Sequence, residues 1–326
     1  MNQILKDCLY YGASRVGELP FLRTRFAARA AIILFHEIHR DCQSELMTGT
    51  SVSLFEYSLS WLRQEGWSIV SLDECLEKLA GNDQSRRFVV LTFDDGYRDN
   101  VDVALPILER HNAPFMMYVP TGAPTRSMQS WWLGLRKLFL SRETVRIDAL
   151  GRQFHCPDIR SKTSALIEVT QWVHQDYRRS VMLAPTFKQN GISLAALNDA
   201  YFLDERELEI LARHPLASIG GHTTSHAALA TLDAPSARAE LADNRSYLEN
   251  LLQLPVRHAA YPYGACGRRE EHLAHEVGFQ TAVTTQQDRL YDRTVNYFAL
   301  PRIGVFSRSS LRARMSGIIE AVQALR

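Results

Sequence analysis

FVVLTFDDGY, residues 88–97, decides the fold class. The short apolar run Phe88–Phe93 reads as a strand. Two acids, Asp94 and Asp95, follow at once, and Gly96 permits the tight turn they need. Six further runs repeat the form: Ala31–His36, Phe115–Val119, Ala217–His222, His258–Tyr263, Gln280–Thr285 and Ala299–Val305. Helix-like segments fall between several of them. They are Ser53–Gln64 with Gly66 as its stop, Leu72–Leu79, Val101–Arg110 kinked at Pro106, Asp204–Arg213 and Ser236–Leu252. Such alternation predicts an α/β domain with a largely parallel sheet. It lapses over residues 123–203, which hold the helix-like pieces Trp131–Leu140 and Ser164–Tyr177 and no strong strand. That stretch reads as a largely helical insertion on the sheet.

Composition narrows the function classes. The 326 residues carry 37 Lys plus Arg against 36 Asp plus Glu, a net charge of +1, which leaves no electrostatic footprint for general nucleic-acid binding. Hydrophobic residues make up 46% and charged residues 22%, an ordinary globular balance. The 5 cysteines are scattered without a CxxC pair, which argues against a disulfide framework and a structural zinc site. In residues 1–29, Lys6, Asp7, Arg15, Glu18, Arg23, Arg25 and Arg29 interrupt every apolar run, so no secretory signal is legible and a cytoplasmic location is expected. Those residues read as a helical segment capping the domain at 30–326. A second reading makes them a membrane-surface segment near a lipid-linked substrate.

Chemically capable groups gather just after the apolar runs, where loops at the carboxyl ends of strands build sites in such folds. Mutual repulsion makes the Asp94–Asp95 pair costly unless a cation or proton holds it, and two such carboxylates can divide the work of metal ligand and proton acceptor. Gly220-Gly221-His222-Thr223-Thr224-Ser225-His226 places two histidines at i and i+4, which a helical turn would bring to one face. Two histidines and one aspartate make a three-ligand site with open positions, suited to Zn, Co, Ni or Fe. In Ala260-Tyr261-Pro262-Tyr263-Gly264 the proline lacks an N–H, so the next free donor is the Tyr263 amide, a candidate oxyanion contact. His36 ends its run and is a candidate proton donor, and Arg302 could steady a carboxylate such as Asp94. Trp131-Trp132 reads as the apolar side of a helix.

Together TFDDGY (92–97), HTTSH (222–226) and YPYG (261–264) resemble the polysaccharide deacetylases, the NodB-homology domain of carbohydrate esterase family 4. The lead-in Phe55–Leu72 and the approach Leu203–His226 are similar too, so the resemblance covers residues 30–110 and 203–306. It implies a distorted (β/α)7 barrel, with Asp94 as general base and Asp95, His222 and His226 holding a divalent metal, zinc first. The chain departs from the family pattern at Ala260, where many members carry arginine, and lacks a late Leu-x-His motif. Ile33-Leu34-Phe35-His36 is similar to the branch in which the histidine strand lies at the amino-terminal side, which implies His36 as the acid and Arg302 in place of the missing arginine. The expected activity is metal-dependent removal of acetyl from an N-acetylated amino sugar in a glycan or glycan precursor. O-Acetyl or cyclic-amide hydrolysis on the same fold, or sugar binding without catalysis, are the alternatives.

Overall fold

The computed structural model describes residues 30–40, 46, 49–81, 87–290 and 295–316, so the expected helical segment 1–29 lies outside the described residues. Strand β1 (Ala30–Phe35) leads to β2 (Ile38–His39), which pairs with β3 (Thr50–Ser51). Helix α1 (Val52–Gln64) starts where the Ser51 side chain accepts from Leu54 N. It is followed by β4 (Trp67–Ile69), α2 (Leu72–Ala80) and β5 (Arg87–Asp94). Where a proline-kinked helix is expected at 101–110, a wide π turn at Asn100–Ala104 feeds α3 (Leu105–Arg110). Pro106 then sits in the first turn of α3, where its missing N–H leaves no bond unmade. Then come β6 (Phe115–Val119), α4 (Trp131–Ser141), β7 (Thr144–Ile147), β8 (Arg152–His155), α5 (Ile159–Gln175), α6 (Ala184–Gln189) and α7 (Leu194–Tyr201). The chain continues through α8 (Glu205–Ala212), β9 (Ala217–Gly221), α9 (Ala234–Leu252), β10 (His258–Ala260), α10 (Arg268–Val277), β11 (Thr281–Val283), β12 (Ile303–Gly304) and α11 (Arg308–Ser316).

The main sheet is parallel throughout and runs β11-β10-β9-β6-β5-β1-β12, with β4 paired to the start of β5. It curls until a parallel bridge from Val283 to Leu300 joins the β11 edge to the segment entering β12. The fold is therefore a distorted α/β barrel. Side-chain alternation along each strand sorts inside from outside. Phe88 and Val90 pack inside with Ile32, Met116 and Tyr118, whereas Phe35, Phe55, Phe93 and Phe115 stack on one another beneath the helices, with ring centroids 5.0–5.8 Å apart. The same parity that turns Phe88 and Val90 inward carries Thr92 and Asp94 up the barrel axis. Apolar contacts fill the bottom and polar groups line the top.

Other expected elements also differ from those observed. The run His258–Tyr263 stops being a strand at Ala260, because Pro262 opens a tight 3₁₀ turn. Only Ile303–Gly304 of Ala299–Val305 is a strand. Residues 123–203 contain a β-hairpin, β7 with β8, where no strong strand is expected. Its inward residues are Val145, Ile147 and Phe154, too few to stand out against charged neighbours, and Gly151 makes the turn at φ 64°. These residues share an apolar core of their own, including Leu135, Phe139, Val169, Val173 and Phe187.

Candidate active site

Asp94 ends β5 on the inward parity and is almost fully buried. Arg302 reaches it from 208 residues away: Nη1 and Nη2 donate to Oδ1 and Oδ2, both at 2.7 Å. The same guanidinium donates to Thr284 O at 2.8 Å and Thr92 Oγ1 at 3.2 Å, and it has no exposed surface. Burial alone would push the Asp94 carboxyl up, but Arg302 outweighs it, so the group lies below the usual carboxylate range.

Asp95 has the opposite parity, and backbone conformation returns it to the same space. It takes φ 75° and Gly96 takes φ 73°, so the chain reverses as β5 ends. The histidine pair is not on a helical turn as the spacing suggests. Residues 222–226 form a loop in which Thr223 (φ 65°) and His226 (φ 61°) are left-handed, and Tyr263 across the site has φ 61°. Such conformations cost about 1–3 kcal/mol each and persist where the surroundings over-determine them. Here the Glu240 carboxylate accepts from Thr224 N, Ser225 N and Ser225 Oγ at 2.7–2.8 Å. Asn244, fully buried, accepts from His222 N and donates to Val119 O and Thr121 Oγ1.

The result is a compact ligand cluster. His226 Nε2 lies 3.1 Å and His222 Nε2 3.4 Å from Asp95 Oδ1. One ligand atom from each of Asp95, His222 and His226 lies within 4.8 Å of the others, and the described residues contain no second cluster of this kind. His222 Nδ1 bonds the carbonyl of Ala260 at 2.8 Å, which places the proton there and leaves the Nε2 lone pair for a cation. Asp95 Oδ1 and His226 Nδ1 are buried without a hydrogen-bond partner among the described residues. Burial would raise the Asp95 carboxyl, but the two imidazoles hold it well below its usual value; burial also pushes His226 down towards the neutral form. Buried oxygen and nitrogen donors left short of partners fit a divalent cation.

His36 follows β1, and its half-exposed ring puts Nε2 4.0 Å from Asp94 Oδ2. Tyr263 lines the same opening. Its hydroxyl accepts from Trp131 Nε1 at 3.0 Å, and its ring stacks on Tyr177 at 4.2 Å and meets His226 edge-on at 4.8 Å. Asp94, Asp95, His222, His226, His36 and Tyr263 line one cavity of about 270 Å³ together with Trp131, Trp132 and His174, and Arg302 does not line it. The paired tryptophans do more than fill a core. Trp132 lies over the His226 ring at 5.0 Å and donates to the Tyr97 hydroxyl at 2.7 Å. Glu37, Arg136 and His174 also escape sequence reasoning, since none stands in a spacing pattern, and Tyr97 is read only as the end of its motif. Only the adjacency of Glu37 to His36 could have drawn notice.

Residues 81–146 and 170–282 match the family model described as polysaccharide deacetylase. The chain is 20% identical over 290 residues to the Bacillus subtilis protein YxkH, whose name places it among the polysaccharide deacetylases; the match covers 87% of this chain and 74% of that one. It is 28% identical over 111 residues to the poly-β-1,6-N-acetyl-D-glucosamine N-deacetylase of Escherichia coli K12, covering 34% of this chain and 16% of that larger protein. Among solved structures, the Streptococcus pyogenes deacetylase PplD in complex with acetate aligns with a TM-score of 0.60 at 18% identity, over 90% of this chain and 99% of that one. IcaB from Ammonifex degensii aligns at 0.57 and 17%, over 89% and 97%. At these identities the structural likeness concerns the fold.

Proposed function

Because the chain belongs to the polysaccharide deacetylase family, carbohydrate deacetylases that hydrolyse amide bonds, we propose that it removes acetyl from an N-acetylated amino sugar by divalent-metal-dependent hydrolysis. One observation carries this reading: a carboxylate locked by a buried arginine stands beside a separate Asp–His–His cluster, and both face one cavity. Asp95, His222 and His226 would hold the cation. A divalent cation supplies Lewis acidity, polarising the acetyl carbonyl and bringing the pKa of a water towards about 7.

The protein groups divide the remaining work. Arg302 keeps Asp94 ionised and fixes its orientation, so Asp94 accepts a proton from the attacking water. A carboxylate of lowered pKa is a weak base by itself, which is why its partner water must be made acidic. The Tyr263 amide, in a turn rigidified by Pro262, is the candidate donor to the oxyanion; one such donor is typically worth about 3 kcal/mol. His36 stands across the Asp94 carboxylate and gives a proton to the departing amine. Acetate and the free amino sugar result.

The cavity and one relative support a substrate class. The aromatic wall of Trp131, Trp132 and Tyr263 suits the apolar face of a sugar ring, and the Escherichia coli relative is named for a polymer of N-acetylglucosamine. We therefore assign an N-acetylhexosamine unit within a glycan or glycan precursor. The test is acetate release from N-acetylglucosamine oligomers, with a mass-spectrometric reading of the product, before and after chelation and after zinc is restored. Turnover should vanish on chelation and return with zinc. Undiminished turnover in the stripped enzyme would remove the cation from the mechanism, and turnover confined to O-acetyl sugars would replace the amide reading.

A further inference from the structure

His36 is the least supported group of the site. Among the described residues no side-chain hydrogen bond holds its ring, and its nearest charged partner, Asp94, is 4.0 Å away. What orients the ring is therefore the backbone at 36–37, and that backbone is held from three sides. Asn100 Nδ2 donates to the His36 carbonyl at 2.8 Å. Thr50 N donates to the Glu37 carbonyl at 2.8 Å. The Glu37 carboxylate, itself buried, accepts two bonds from Arg136: Nη1 to Oε2 at 2.6 Å and Nη2 to Oε1 at 3.0 Å.

Arg136 belongs to α4, the first helix of the 123–203 region, and is 4% exposed. Its guanidinium also lies over the Tyr201 ring at 4.9 Å. The same helix supplies Trp131 to the Tyr263 hydroxyl and Trp132 to the Tyr97 hydroxyl and the His226 ring. Trp132 and Arg136 stand at i and i+4, on one face. One helix thus touches the segments just after β1, β5, β9 and β10. A buried bidentate ion pair is costly to form and is not needed for packing, since apolar residues of the same volume often serve stability as well. Its planar, two-bond geometry fixes an orientation instead.

We propose that Arg136 and Glu37 are positioning residues that hold the His36 ring at the reacting centre, so that α4 takes part in catalysis through the strand end it clamps. The inference rests on His36 as the proton donor, and the experiment separates the two. Acetate release from an N-acetylglucosamine oligomer is measured, with zinc present, for wild type and for R136M, R136K, E37Q, H36Q and H36Q/R136M, each checked for folding by circular dichroism. H36Q should lower kcat. R136M should lower kcat by about ten- to a hundredfold, the scale of a misplaced catalytic group, with KM within about threefold of wild type. R136K, which keeps the charge but not the paired bonds, should fall between, and E37Q should resemble it. In the H36Q background R136M should cost nothing further. If R136M lowers kcat equally with and without His36, the pair acts elsewhere and the proposal fails. It fails equally if folded R136K and E37Q both turn over as wild type. If H36Q itself retains wild-type kcat, the proton-donor reading falls and takes this inference with it, a result distinguishable from the other two.

Discussion

Replacing Arg302 by methionine tests the electrostatic centre of the barrel. The side chain has no exposed surface and makes four hydrogen bonds, two of them to Asp94 at 2.7 Å. Removing one partner of such a buried pair typically costs about 3–5 kcal/mol, because the other charge is left uncompensated. R302M should therefore lose that much stability in urea unfolding at pH 7, measured with a chelator so that cation binding does not contribute. Adding D94N to R302M should return about 1–3 kcal/mol, since a neutral amide is cheaper to bury unpaired than a carboxylate. The pH dependence has a defined sign. Arg302 outweighs burial and holds Asp94 below its unfolded value, so its contribution is present above about pH 4 and is lost as pH falls through the folded value. In R302M burial acts unopposed by that guanidinium, and protonation relieves the orphaned charge. The stability gap between wild type and R302M should thus be widest at neutral pH and narrow on acidification. Additive effects of D94N and R302M, or a gap unchanged between pH 7 and pH 4, would refute the reasoning.

Three further outcomes are expected. N244A removes the partner of His222 N, Val119 O and Thr121 Oγ1 at a fully buried position; it should cost about 2–4 kcal/mol and weaken zinc binding, read by unfolding and by metal titration. Asp99 is pushed up to about 8 by burial and by the nearby Glu37. The folded state therefore binds a proton that the unfolded state has lost above about pH 4, and stability falls as pH rises through that window. D99N should match wild type near pH 4 and exceed it at pH 8 in thermal unfolding. Y177A removes the ring stacked on Tyr263 at 4.2 Å; a pair of this kind is worth about 0.5–1.5 kcal/mol, so KM for an N-acetylglucosamine oligomer should rise by about two- to tenfold in steady-state kinetics, with kcat little changed.

Local pattern carries a large part of this protein. Short apolar runs announce strands, and the strict alternation of a strand turns Phe88, Val90, Thr92 and Asp94 to one side whatever lies around them. The loop chemistry after those runs is legible too, because Asp94, Asp95, His222 and His226 are close together in short motifs. Where local pattern competes with backbone strain it misleads. The i, i+4 histidines suggest a helical turn, yet left-handed Thr223 and His226 aim the two rings, a conformation the spacing cannot express. The β7–β8 hairpin is missed for a related reason, since three inward residues do not make a period.

The sequence by itself determined most strands of the main sheet and the kinds of ligand offered just after them, because each depends on neighbours within a few residues. Tertiary structure decided the pairings, of which the sequence suggested only Arg302 with Asp94. Arg302 meets Asp94 only because the barrel curls until the segment before β12 lies beside β11 and beneath the end of β5. Arg136 meets Glu37, and Trp131 meets Tyr263, only because α4 packs across the mouth of the sheet. These are contacts between groups 99–208 residues apart. Their formation rests on how the whole chain closes, and no periodicity along the chain records that closure.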